Sequence, residues 1–258
     1  MMRALKDAVQ TVAVAFSMFS AVPVPQFEWN RRNMRFMLCA FPLVGALAGA
    51  LMWLGSFVCG KLGLPPMVRG LILTAVPPLV TGGIHLDGCC DTWDALASHG
   101  TREKMRSILK DPHIGSFAVI RLILMLLAEF VLWTVLPDYR AVPVLAGFVL
   151  SRSLSGLAVA SFPIAEGTGL ARTFAEQADR RKTALFTAVL ACASAAVMCL
   201  TGGWIMAAAA AAVFLIYRTV LVPKFGGLSG DLAGWFVQTA ELWMLAALYA
   251  GEILEGIL

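Results

Sequence analysis

Long apolar runs alternate with short polar connections along almost the whole chain. A membrane-crossing helix needs about 20 mainly apolar residues. Seven stretches come near that length: 36–59, 66–84, 114–136, 141–163, 184–200, 204–222 and 232–254. The stretch 7–22 is shorter and is bounded by Pro23 and Pro25, so two placements fit it, a re-entrant helix or one lying in the interface. The pattern predicts an all-α, polytopic bundle of about seven transmembrane helices with this extra N-terminal helix. No internal repeat, low-complexity run or linker divides the chain, so residues 1–258 read as one domain.

Composition supports a bilayer as the solvent. Hydrophobic residues make up 59% of the 258, charged residues 14%, and the mean hydropathy is +0.80. Soluble domains carry about 25% charged residues, so this chain has too little polar surface to cover a soluble globule. The formal charge is +4, but its basic residues sit in the connections. A nucleic-acid footprint needs them in a patch or stripe, which argues against that partner.

The placement of charge also predicts topology. Arg31, Arg32 and Arg35, then Arg102, Lys104, Arg106 and Lys110, then Arg172, Arg180, Arg181 and Lys182, and finally Lys224 fall in four connections on one side if 7–22 does not cross. The other side receives Lys61, Arg69 and Arg140. Basic residues favour the cytoplasm, so the four connections are expected there, in a multi-pass protein of the bacterial cytoplasmic membrane. A crossing by 7–22 would move the N-terminus and leave the connections in place. Met1–Lys6 and the apolar stretch after it lack a convincing small-residue cleavage site, so this segment is expected to belong to the mature protein. Six cysteines occur without a CxxC pair, which predicts reduced thiols and no zinc or redox centre.

The most informative stretch is GGIHLDGCCDTWDAL, from Gly82 to Leu96. Asp87, Asp91 and Asp94 are spaced i, i+4, i+7, which on a helix places them at roughly 0°, 40° and −20°. Clustered carboxylates repel one another and become tolerable around a cation. Oxygen ligands without paired thiols favour magnesium or manganese, and magnesium pairs naturally with a diphosphate substrate. His85 stands just upstream, and Gly82, Gly83 and Gly88 permit close approach of a ligand. A solvated acidic helix face balanced by Lys104, Arg106 and Lys110 is the plainer alternative.

A second stretch, GGLSGDLAGWFVQTAEL, runs from Gly226 to Leu242. Its Gly-rich turn, with Gly227, Ser229 and Gly230, can present backbone N–H groups to phosphate at a helix start. Asp231 fits either an N-cap or a further metal ligand. Lys110 and the Glu166-Gly167-Thr168-Gly169 turn are further candidates around the site. Arg152 lies inside an apolar span, where a charge is a functional candidate by default, and is assigned to a substrate phosphate; Arg121 and Arg218 have the length to snorkel.

With these residues in view, the sequence resembles the cobalamin synthase family, the adenosylcobinamide-GDP ribazoletransferases. Phe16-Ser17 through Pro23-Val24-Pro25, and then Phe41-Pro42-Leu43-Val44-Gly45, look like the family's opening. His85-x-Asp87-Gly88-x-x-Asp91-x-x-Asp94 looks like its hallmark motif. The segments from Arg102 and from Lys110 to Phe117, Glu166–Gly169, and Gly226–Asp231 with Glu241 beyond resemble its later blocks. Ala95, Ser229 and His113 depart from the residues most members carry there.

The resemblance implies a transferase that joins α-ribazole, or its 5′-phosphate, to adenosylcobinamide-GDP and releases GMP, with Mg2+ as cofactor. Attack by the 5′-oxygen of α-ribazole is expected, with Asp87, Asp91 and Asp94 holding metal, Asp231 completing the site, and His85 or an Asp as base. Gly82, Gly83, Gly88, Lys110, Arg152, Gly167, Gly169, Gly227, Ser229, Gly230 and Glu241 are the expected substrate contacts. The bilayer is a partner, and a homo-oligomer is compatible with the sequence. Two rival readings are a CDP-alcohol phosphotransferase, whose Asp-Gly-x2-Ala-Arg pattern is not met after Asp87-Gly88, and a metal-regulated transporter.

Overall fold

The computed structural model describes residues 2–136, 141–166 and 169–257. Among these the regular elements are helices: α1 (Met2–Phe19), α2 (Arg31–Met34), α3 (Met37–Lys61), α4 (Pro66–Thr81), α5 (Ile84–Ala97), α6 (Arg102–Ile108), α7 (Ser116–Val135), α8 (Ala141–Ser161), α9 (Leu170–Gln177), α10 (Arg180–Leu200), α11 (Trp204–Ile216), a π-helical turn (Tyr217–Leu221), α12 (Val222–Phe225) and α13 (Gly230–Ile257). The only pairing of extended backbone among them is a single parallel bridge, Ile164 to Leu228.

Every expected apolar stretch has become a helix, but not every one is a span. By length and apolarity α3, α7, α8, α10 and the α11–α12 run can cross a membrane. α4 has 16 residues and passes the same test only together with α5, and that pair is bent by 92°. α5 is therefore a separate short helix, not the continuation of a span. α13 is long enough, with 28 residues, but Asp231, Gln238, Glu241 and Glu252 lower its mean apolarity; among the described residues five helices, or six spans if the bent pair counts as one, pass by length and apolarity, which fits the expected polytopic all-α bundle. The segment 7–22 lies mostly within α1, an 18-residue helix.

The bend has a local cause. Pro77 and Pro78 lie inside α4 and remove backbone donors. Gly82 and Gly83 follow with φ of 64° and 79°, a left-handed conformation that glycine adopts without strain. The Gly82 and Gly83 N–H groups both bond to the Pro78 carbonyl, closing the end of α4 before α5 departs.

Lipid tails are as apolar as leucine, so apolarity alone does not drive these helices together; close packing does. α8 is the centre, with 72% of its apolar window buried against 17% for α7. Gly45 and Gly49, four apart on α3, let its backbone approach α8. A Cβ on Gly49 would lie 3.0 Å from Leu145 Cα, and one on Gly45 would lie 2.9 Å from Arg152 Cδ. Buried side chains form two layers. One gathers Phe19, Phe41, Phe174, Phe225 and Phe236; the other gathers Met52, Leu73, Trp133, Met198 and Met244.

The four polar connections meet at one end of the bundle. Arg35 pairs with Asp179 at 2.6 Å, Leu228 N–H bonds to Pro163 O at 2.8 Å, and Arg102 donates to Pro223 O at 3.1 Å. At the opposite end Arg69 donates to the carbonyls of Trp133, Thr134 and Leu136, closing the C-terminus of α7. All six cysteines are free thiols.

Candidate active site

α5 lies directly against the first turns of α13. A Cβ on Gly88 would lie 2.8 Å from Asp231 Cα, and one on Gly234 would lie 3.0 Å from the His85 carbonyl oxygen. The two backbones touch because neither position carries a side chain. That contact brings Asp231 to the acidic motif. The Asp91 carboxyl is pushed up to about 6, first by burial and then by the charges of Asp87, Asp231 and Asp94. Among the described residues Asp87, Asp91 and Asp231 have no ion-pair partner.

Asp94 is engaged elsewhere. Its carboxylate accepts the Ala118 N–H at 3.0 Å and also the Gly115 N–H. It thus serves the unpaired donors and positive dipole end of α7. Asp231 is not the cap of α13: Ser229 Oγ accepts the Leu232 N–H at 3.2 Å, and it also lies 3.4 Å from Asp231 Oδ2.

The Gly-rich turn is fixed from two sides. Arg106 donates to Phe225 O at 2.9 Å and Gly226 O at 3.2 Å, while the Ala165 N–H bonds to Leu228 O at 3.0 Å. Arg102 and Arg106 therefore hold backbone carbonyls rather than neutralise the acidic motif. Gly227 packs against Ile164 and Ala165 with no room for a side chain, whereas Gly230 and Gly169 have open space beside them. Gly167 lies outside the described residues. Lys110 is exposed just past the end of α6.

Arg152 and Glu241 are bonded to each other in the bundle interior. Arg152 is fully buried, ion-paired with Glu241, and donates to Ser151 Oγ at 2.9 Å; that hydroxyl in turn donates to Glu241 at 2.7 Å. Among the described residues the Arg152 Nε and Nη2 atoms have no hydrogen-bond partner. His85 is buried with Nε2 unpartnered. Burial, and secondarily the Arg152 charge, pushes the imidazole down to about 3, so it is neutral at physiological pH.

Beside the carboxylates lies a cavity of about 280 Å³, with His85, Asp87 and Asp231 in its wall and Phe19, Phe41 and Phe174 among its apolar lining. Sequence reasoning missed these three aromatic residues, because single Phe residues in apolar runs look like any core residue. It also missed the π-helical turn that begins at Tyr217, whose ring stacks on Phe236 at 5.0 Å.

Among the described residues no three His, Cys, Asp or Glu side chains stand close enough to hold a metal ion by themselves. The donor set still suits a hard divalent cation. It gathers like charges without a counter-ion, and magnesium usually takes one or two protein carboxylates and completes its shell with water and phosphate oxygens.

Comparison with known proteins finds relatives over nearly the whole chain. The chain is 38% identical over 248 residues, 95% of its length and 94% of the relative's, to an adenosylcobinamide-GDP ribazoletransferase of Lachnoclostridium phytofermentans. It is 30% identical over 258 residues, 98% and 100% of the two chains, to the protein of that name in Clostridium perfringens strain 13. It is 34% identical over 244 residues, 92% and 98%, to that of Pseudomonas putida strain GB-1. No solved structure matches. These likenesses favour the ribazoletransferase reading over the CDP-alcohol phosphotransferase and transporter readings. The match to the family described as cobalamin-5-phosphate synthase runs over residues 11–249 and takes in both the acidic motif and the Gly-rich turn, and the chain belongs to that family.

Proposed function

We propose that this protein is a magnesium-dependent adenosylcobinamide-GDP ribazoletransferase with its active site on the cytoplasmic face. The observation that carries the reading is the meeting of Asp87, Asp91 and Asp231, from two helices, beside a cavity at the polar end of the bundle. The basic residues of the four connections share that end, as cytoplasmic segments do.

The reaction exchanges one phosphate ester partner for another. An oxygen of the ribazole ribose attacks the phosphorus linked to cobinamide, and the bond from that phosphorus to the GMP oxygen breaks. If the 5′-phosphate is to survive in a cobalamin 5′-phosphate product, the 5′-oxygen is blocked. The nucleophile is then a ring hydroxyl, which revises the 5′-oxygen expected from sequence. One or two of Asp87, Asp91 and Asp231 would hold Mg2+, with water and phosphate oxygens completing its shell, and the ion when bound supplies charge stabilisation for the diphosphate.

The chain's own groups orient and dehydrate. One of the two carboxylates in the cavity wall, Asp87 or Asp231, whichever does not ligate the metal, accepts the single proton released by the attacking hydroxyl. His85 is a poor base because a buried site beside Arg152 disfavours the imidazolium; its unpartnered Nε2 instead offers substrate one hydrogen bond, as donor in the Nε2–H tautomer. Asp94 ties the acidic helix to α7, and Arg106 holds the Gly-rich turn, so both position the site without entering the chemistry. Phosphoryl transfer needs mainly such positioning.

The test is an assay of purified protein with adenosylcobinamide-GDP, α-ribazole or its 5′-phosphate, and Mg2+, following GMP and corrinoid product. Turnover that vanishes with chelator and in Asp91→Ala is the expected result. A folded protein without turnover on either nucleophile refutes the activity, and turnover in chelator refutes the metal.

A further inference from the structure

The cavity beside the carboxylates discriminates between the two substrates of the proposed reaction. We infer that it is the pocket for the flat heteroaromatic base of the nucleoside substrate, with Phe19, Phe41 and Phe174 reading that base. The corrinoid stays outside, and only its diphosphate reaches the rim at Asp87 and Asp231. The inference rests on the activity proposed above.

Size is the first argument. At about 280 Å³ the cavity lies just below the roughly 300–1,000 Å³ of small-molecule sites. A bicyclic base with its ribose is of that scale; a corrin macrocycle with its amide arms is several times larger.

Lining chemistry is the second. The aromatic side chains form a continuous series: Phe41 stands 5.6 Å from His85, Phe19 stands 4.3 Å from Phe41, and Phe174 stands 5.8 Å from Phe19 between ring centroids. They come from α1, α3 and α9, whereas α8 and α13 contribute small residues such as Ser155, Ala233 and Gly234. Rings on some walls and small side chains on others leave a space suited to a planar ligand, which gains by stacking or edge contacts.

Charge is the third. Among the described residues no Lys or Arg lines the cavity, while Asp87 and Asp231 do, so a phosphate would find no positive side chain there. A neutral base has no such need. The unpartnered His85 Nε2, buried in the wall, can donate, in its Nε2–H tautomer, one directed hydrogen bond to the base's free ring nitrogen. A ribose held at the same cavity then presents its hydroxyls to the two carboxylates.

The experiment measures binding and kinetics separately in detergent-solubilised full-length protein. Equilibrium dialysis with α-ribazole alone is expected to show saturable binding without the corrinoid. Ala233→Leu, which fills the cavity, and Phe174→Leu, which removes a ring, are each expected to weaken that binding and raise the KM for α-ribazole about tenfold, a typical loss for one base contact. The KM for adenosylcobinamide-GDP stays within about twofold of wild type. On wild type, a riboside of single-ring imidazole binds about tenfold more weakly than that of benzimidazole, so the inference remains testable if either variant fails to fold. The inference is overturned if no saturable α-ribazole binding is seen, if the variants raise the corrinoid KM instead, or if the single-ring riboside binds equally well. Retained, variant-sensitive α-ribazole binding with no GMP release in wild type would refute the activity and leave the pocket standing.

Discussion

Asp91→Asn is expected to stabilise the metal-free protein while abolishing turnover. In the folded chain the Asp91 carboxyl is raised from 3.8 to about 6. Between those values the folded state binds more protons than the unfolded state, so the group's contribution to stability is full below 3.8 and is lost as pH rises through about 6. Above that the ionised carboxylate is a cost. A shift of about two units corresponds to ~3 kcal/mol. Asp91 is only half-buried, so water and salt screen its neighbours, and ~1 kcal/mol is the working figure. Asparagine removes the charge and most of that cost. For a chain of this length that is about 2–4 °C in Tm. The assay is thermal unfolding in detergent with chelator from about pH 4.5 to 8. The variant should melt higher than wild type at neutral pH, and the gap should close on acidification. Added Mg2+ should raise wild type more than the variant. A variant that melts below wild type in chelator, or a gap that ignores pH, would refute the upward shift of the Asp91 carboxyl by burial and its neighbours' charges.

Other substitutions probe the frame around the site. Gly88→Ala places a Cβ 2.8 Å from Asp231 Cα, and pushing α13 away should cost ~1–3 kcal/mol and lower kcat, measured by unfolding and turnover together. Arg152→Met or Glu241→Leu alone leaves one buried charge without its ion-pair partner and should cost ~3–5 kcal/mol, while the double variant should recover most of it in a double-mutant cycle. Asp94→Ala leaves the α7 N–H groups without their acceptor and should cost ~1 kcal/mol in thermal unfolding, with Asp94→Asn losing less because its carbonyl oxygen still accepts.

Helices and motif were legible from the chain because both are local. Apolar runs marked each long helix, and the spacing of Asp87, Asp91 and Asp94 marked the acidic helix. What the spacing did not show is that Asp94 turns to α7 while Asp231 takes a place near the other two. That division is a tertiary matter, set by the contact of Gly88 with Asp231 and by the start of α7 at Ser116. Arg152 and Glu241 were each visible as charges in apolar surroundings, but only packing paired them. The apparent length of 66–84 was misleading because hydropathy does not register the backbone turn at Gly82–Gly83. The aromatic cavity was invisible for a similar reason: a Phe that lines a space and a Phe that fills one read alike.

The contact between α5 and α13 also sets an order of biogenesis. Residues 84–97 leave the ribosome long before residues 230–257, so during insertion the acidic helix waits beside a partly built bundle with its last partner absent. Asp87 and Asp91 then remain wet, the cavity has no α13 wall, and diphosphate chemistry cannot begin. On the proposed site, competence arrives only with the final helix. Chains truncated before residue 230 should integrate into the membrane and remain inert.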